Sequence, residues 1–244
     1  MSDSLHGNRT TILIAVLVLA VGIIAGGYLL GDGLKRARMA DRAVTMRGLA
    51  ERDVTADLAT WTINFSAQGS DLGPVQAKIE QDTQTIRNFF RAAGFPAEAV
   101  SDGGGSVSSY YDNNRAANVV TINRRLQFRS TDVARARRTY ARQFDLIRGG
   151  VALQEGSNMA YSFTRLNDVK PDMIAQSVRD ARAGAERFAR DSGAQVGAIR
   201  SATQGYFSIT ARDGAGAGEE GGGNASDSPD QKVRVVTTIE FYLN

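Results

Sequence analysis

Cysteine is absent from the chain, and histidine occurs once, as His6 in a polar tail ahead of the first apolar stretch. The first absence excludes disulfides, thiolate zinc sites and thiol catalysis together. The second removes serine–histidine catalysis and histidine-built metal clusters. Lysine is scarce as well: of 29 basic residues only Lys35, Lys78, Lys170 and Lys232 are lysine. Arginine suits fixed ion pairs and bidentate anion contacts, although a GC-rich genome gives the same bias. The net charge of +3 is too small to argue for nucleic acid as a partner. What remains for catalysis is paired carboxylates such as Asp168 with Asp172 or Glu186, and such pairs occur on almost any solvated helix. The expectation is therefore a protein that is not an enzyme, with no cofactor, no metal and no small-molecule substrate.

Long uncharged runs are present once. Thr10 to Leu30 carries no charge and is long enough to cross the hydrocarbon core as a helix. A cleaved signal would have a shorter apolar region ending at a small-x-small site, whereas Ala25, Gly26 and Gly27 fall inside this run. The sequence is thus divided into a polar tail over 1–9, a transmembrane anchor over 10–30, a basic juxtamembrane segment over 31–43 and a folded domain over 44–244. Gly22 with Gly26, and Gly27 with Gly31, have the G-x-x-x-G spacing that lets membrane helices approach one another. Orientation is contested: Arg9 stands on one side, Lys35, Arg36, Arg38 and Arg42 on the other, and the positive-inside tendency alone would keep the domain in the cytoplasm. The same basic segment could instead lie on anionic lipid.

Within the domain, Trp61, Ile63, Phe65 and Ala67 alternate with polar residues, which predicts a strand with one buried side. Ser70 and Asp71 offer capping oxygens for a helix whose stripe is Leu72, Val75, Ile79, Ile86 and Phe90. Ser101 to Ser106 predicts a flexible turn, since it lacks the ending and the following helix of a phosphate loop. A hairpin of Val107 to Tyr111 with Asn118 to Ser130 follows. It places Arg124 on the apolar face of Val120, Ile122, Leu126 and Phe128, where the guanidinium needs a partner, a bulge or a route to solvent.

A second helix is expected with Val133, Ala136, Tyr140, Phe144 and Ile147 as its stripe, closed by Gly149 and Gly150. Val151 to Glu155 and Asn158 to Arg165 predict a strand pair. A third helix follows, with Val169, Met173, Val178, Ala181, Ala185 and Phe188 on its buried side. Val196 to Ala211 predicts a strand broken at Gly205. Residues 213–230 are too small and polar to bury a core and predict a mobile acidic loop. Val233, Val235, Thr237, Ile239, Phe241 and Leu243 alternate along a terminal strand. The order implies an α+β fold: largely antiparallel sheet with three helices packed on it, preceded by one N-terminal transmembrane helix. Arg125, Arg129, Arg135, Arg138 and Arg142 form a candidate surface for an anionic ligand or acidic lipid, with an ordinary solvated face as the alternative.

Gly48-Leu49-Ala50-Glu51 with Val54 and Asp57, the Ser108 to Tyr111 strand, Tyr161-Ser162-Phe163, the run Ala181 to Ala189, Ser192-Gly193 and Val196-Gly197 occur in an order that resembles the SIMPL domain family of bacterial periplasmic immunogenic proteins. The resemblance runs from about Val44 to Leu243. The family's usual lysine in the long helix is replaced near Gly184, and its late loop is here acidic and glycine-rich. The resemblance implies an exported, non-enzymatic envelope protein that assembles into ring- or cage-like homo-oligomers, with links to oxidative or envelope stress. Together with the apolar run it leads to the expectation of a single-pass protein of the bacterial inner membrane, N-terminus cytoplasmic and main domain periplasmic. Its partners are then the lipid bilayer and copies of itself.

Overall fold

The structure is a computed structural model, described for residue 17 and for residues 19–33, 42–114, 116–212 and 225–244. The first helix, α1, is helical over the described residues 19–33, with Leu19, Val21, Ile23, Ile24, Leu29 and Leu30 exposed. Among the described residues no helix is long and apolar enough to cross a membrane. The described part of α1 falls short of a span, and the structure does not support the expected anchor over 10–30. Residues 10–16 and 18, most of the basic juxtamembrane segment and most of the acidic loop lie outside the described residues.

The chain divides into two compact units. The larger comprises Ala50–Ile174 and Tyr206–Val235. Its sheet runs β3(Val100–Asp112), β4(Ala117–Ser130), β2(Leu58–Gly69), β5(Met159–Ser162) and β8(Ala225–Ser226), with antiparallel neighbours throughout. Alternation along β2 puts Trp61, Ile63 and Phe65 on one face, where Trp61 lies opposite Phe128 and Ile63 opposite Leu126. Against that face pack α2(Leu72–Ala92) and α3(Val133–Tyr140). Phe90 of α2 stacks on Phe128 at 4.3 Å between centroids, and Trp61 meets Phe90 and Tyr140 edge-on at 5.4 and 4.9 Å. Such pairs add to the burial of large apolar area that drives the collapse.

Several expectations are corrected here. The single helix expected after Asp132 is two, α3 and α4(Phe144–Arg148), and Phe144 and Ile147 are exposed while Leu146 is buried. A turn at residues 141–143 resets the helical phase, so a stripe extrapolated through it points the wrong way. With α5(Leu166–Asp191) the described residues hold four α-helices beside α1 instead of the three expected beside an anchor. Ser70 Oγ donates to Asp71 Oδ2 at 2.8 Å, and the side chain of Asp71, the N-cap residue of α2, caps nothing. The stretch Ser101 to Ser106 belongs to β3, whose register shifts between Asp102 and Gly105 at a bulge. Of the strand expected over Val151 to Glu155 there is one bridge, Phe65 with Leu153.

The smaller unit comprises Met1–Leu49, Ala175–Gly205 and Val236–Asn244. It contains the start of β1(Ala43–Thr55), the later turns of α5, β6(Val196–Gln204) and the end of β9(Asp230–Leu243), with β6 antiparallel to β9. Inward-facing Ile239 and Phe241 pack with Val44, Ala181 and Ala185. Phe188, expected on the buried side of α5, is exposed, and Ala189 is buried instead. Small residues at 177, 181, 185 and 189 recur every four positions, and this row lets strand backbone lie against the helix. In the larger unit β7(Ser208–Ala211) pairs with the first half of β9, Ile209 opposite Val233.

Candidate functional site

Among the described residues the most exposed strand is β3. It ends the five-stranded sheet, and of its thirteen residues only Val100 is buried. A free edge strand presents unpaired backbone N–H and C=O groups to any strand that can align with them, and proteins ordinarily guard such edges with lysine, proline or a covering element. From Gly103 to Tyr111 the strand has no charge and no proline. Val107, Tyr110 and Tyr111 stand out from it at 62%, 56% and 57% exposure.

Arg124 is the arginine that sequence alternation places on the apolar face, and it has found partners. Its guanidinium donates to Asp102 Oδ2 at 2.7 Å, to Glu80 Oε2 at 3.2 Å and to Thr83 Oγ1 at 3.2 Å. These contacts tie β3, β4 and α2 together. Hydrogen bonding to Arg124 holds the Asp102 carboxyl below its ordinary value against the opposing effect of burial, and the Arg124 guanidinium is raised in turn. Beside it lies an open cavity of about 510 Å³ between the bulge residues Gly103 to Ser106, Arg125 and Glu155.

The five arginines of the expected anion surface are not brought together. Arg125 lies opposite Asn64 and Arg129 opposite Thr60, on the sheet face away from Leu126 and Phe128, whereas α3 packs on the face those two residues share. Arg125 Nε donates to Asn64 Oδ1 at 3.0 Å. Arg135 pairs with Asp132 at 3.1 Å, donates to Gly94 O and lies over the Phe95 ring. Arg142 pairs with Asp145 at 3.1 Å. Arg138 is exposed on α3. Gly22, Gly26, Gly27 and Gly31 are exposed along α1, and a Cβ added at any of them would meet nothing within 4 Å. Of the carboxylates weighed for catalysis, Asp172 pairs with Arg52 and Glu186 with Arg182. Among the described residues no cluster of three or more His, Cys, Asp or Glu side chains forms a metal site.

Comparison with known proteins bears on the resemblance. The family model SIMPL, described as a protein of unknown function (DUF541), matches residues 44–241. The chain belongs to the SIMPL family. No curated protein matches it. The matched span begins at Val44 in β1 and ends at Phe241 in β9, so it reaches into both compact units.

Sequence reasoning missed the extent of β3. The signal was present in its partner: a β4 of fourteen residues in a hairpin calls for a neighbour of similar length, which reaches back from Asp112 to Val100 through the glycines. It also passed over Arg137, Tyr140 and Tyr161 as a group, because they are brought together only when β5 and α3 fold against β2.

Proposed function

We propose that this SIMPL protein is a membrane-anchored, non-enzymatic envelope protein whose domain assembles with copies of itself into a ring- or cage-like homo-oligomer serving the envelope under oxidative or other stress. The observation that carries the reading is β3: a long exposed edge strand, uncharged from Gly103 to Tyr111, with three large exposed side chains. A second copy is the occupant that fits, because strand pairing satisfies the backbone groups and a partner with the same uncharged stretch meets no like charge there. If β3 of one copy meets a different edge of the next, the contact is heterologous, and it forms a ring where the rotation between copies closes. The anchor rests on the uncharged run Thr10 to Leu30, and the glycine pairs in α1 offer a second means of association. The arginine surface is the weaker reading, since carboxylates already neutralise Arg135 and Arg142.

The test is the mass of the detergent-extracted full-length particle, measured by light scattering with the detergent contribution subtracted. Several copies per particle are expected. Ser109→Lys with Tyr111→Lys, which places like charges along the edge, is expected to release smaller species. A monomeric wild-type chain overturns the proposal, as does a double variant of unchanged mass.

A further inference from the structure

The larger unit holds a second cavity, of about 480 Å³, beside the end of α3. That volume suits a small organic molecule. Its apolar walls are Tyr140, Ala141, Met159 and the ring of Tyr161, and its polar groups are Arg137, Asn158 and Asp227. Chain geometry brings them together. Trp61 of β2 pairs with Met159 of β5 and packs against Tyr140, so the end of α3 is held over β5 by the same ring that fills the core.

Two features set this cavity apart from an ordinary surface hollow. Tyr161 is only 4% exposed, yet its hydroxyl makes no hydrogen bond to any described residue and is not among the polar atoms sealed from solvent. A hydroxyl without a protein partner is left to water or a ligand, and the cavity is where either reaches it. Burial raises the Tyr161 phenol above its ordinary value of 10.0; Arg137 opposes the rise and Tyr140 adds to it, so both lie within electrostatic reach. The phenol is therefore a protonated donor at neutral pH. Arg137 has no ion-pair partner among the described residues, whereas its neighbours Arg135, Arg142 and Arg148 are held by Asp132 and Asp145. An unpaired guanidinium and an unpartnered phenol thus meet beside an aromatic wall.

We propose that this cavity binds a small monocarboxylic acid with an apolar or aromatic body. The carboxylate lies on the Arg137 guanidinium and accepts from the Tyr161 hydroxyl, since charge-assisted donors of this kind are the strong ones. The body packs against Tyr140, Ala141 and Met159. Asp227 adds a carboxyl group to the same wall, which disfavours a second negative charge on the ligand. The site does not involve β3, so it stands or falls independently of the assembly proposed above.

The only tryptophan, Trp61, is a built-in reporter, because its ring packs on Tyr140 at 4.9 Å. The full-length chain is titrated with 3-phenylpropionate, with the neutral 3-phenylpropanamide and with the dianion phenylsuccinate, following Trp61 emission and ligand NMR line width. The acid is expected to bind saturably with half-saturation at about 1 mM or below, and the amide and the dianion about tenfold more weakly. Arg137→Gln is expected to weaken the acid about tenfold while leaving the amide unchanged, and Tyr161→Phe to weaken it several-fold. Arg138→Gln, one position along the helix, is expected to match the wild type. Equal binding of acid and amide, an Arg137→Gln variant indistinguishable from wild type, or no saturable change in either readout up to about 50 mM overturns the proposal.

Discussion

Gly48 shows how one missing methyl group can govern a packing contact. A Cβ built there would lie 1.8 Å from the backbone oxygen of Ser177 and 2.6 Å from the backbone nitrogen of Ala181, so β1 and α5 touch backbone to backbone. The next amide, Leu49 N–H, donates to Asp180 Oδ2 at 3.0 Å, and the buried hydroxyls of Ser177 and Thr237 meet at 2.7 Å. No rotamer change can relieve a clash with helix backbone, so Gly48→Ala must push strand and helix apart and open the layer of small side chains between them. We expect a loss of about 3 kcal/mol or more in chemical denaturation. Gly73→Ala is the contrasting change: Gly73 lies early in α2, a Cβ there would meet nothing within 4 Å, and the expected effect is a gain of at most about 1 kcal/mol. Similar losses at both positions would show that the close approach at Gly48 is not what the fold depends on. Gly48 was visible in the sequence only as part of a family pattern. Its reason lay in a helix far later in the chain, which no local periodicity reveals.

At the scale of elements, the Arg124 contacts do what a shared apolar face cannot. Sheet alternation puts a cation among Leu126, Phe128 and Ile122, and Asp102 from β3 with Glu80 from α2 satisfies it at the sheet's edge. Because the Asp102 carboxyl is held below its ordinary 3.8 in the folded chain, the native state favours its ionised form. Its contribution to stability is therefore fully present above that ordinary value and is lost as the pH falls through the lowered one. The Asp102 side chain is half exposed, so solvent screening keeps the effect below about 1 kcal/mol. Urea midpoints of wild type and Asp102→Asn should differ at neutral pH and converge as the pH falls through the lowered Asp102 value. A gap that stays constant as the pH falls would assign the contribution to packing instead of charge. The need for such a partner was legible in the sequence, as were β2 and β9, because a strict period of two over many residues admits one reading. The α3–α4 break was not: Tyr140, Phe144 and Ile147 keep helical spacing, and only the tertiary contacts of Leu146 show that the chain turns between them. The glycine run in β3 misled for a related reason. Glycine at 103–105 signals a turn in isolation, yet a long partner strand can hold it extended with a bulge.

For the whole molecule the open question is the side of the membrane on which the proposed assembly stands, and opposing charges make it testable. Lys35, Arg36, Arg38 and Arg42 follow the apolar run and only Arg9 precedes it, which taken alone would retain the domain in the cytoplasm. Flanking charge biases topology without determining it, since large domains translocate largely regardless of nearby charge. The proposal accordingly places the SIMPL domain outside, against the local arginine count. A reporter active only outside the cytoplasm, fused after Asn244, should then be active, and a reporter active only inside should be silent. Replacing Lys35, Arg36 and Arg38 with glutamine removes most of the opposing charge, so the outside signal should hold or rise. If the cytoplasmic reporter is the active one, or if the glutamine variant moves the domain from inside to outside, the basic segment is setting the topology and the envelope assignment is wrong for the native chain.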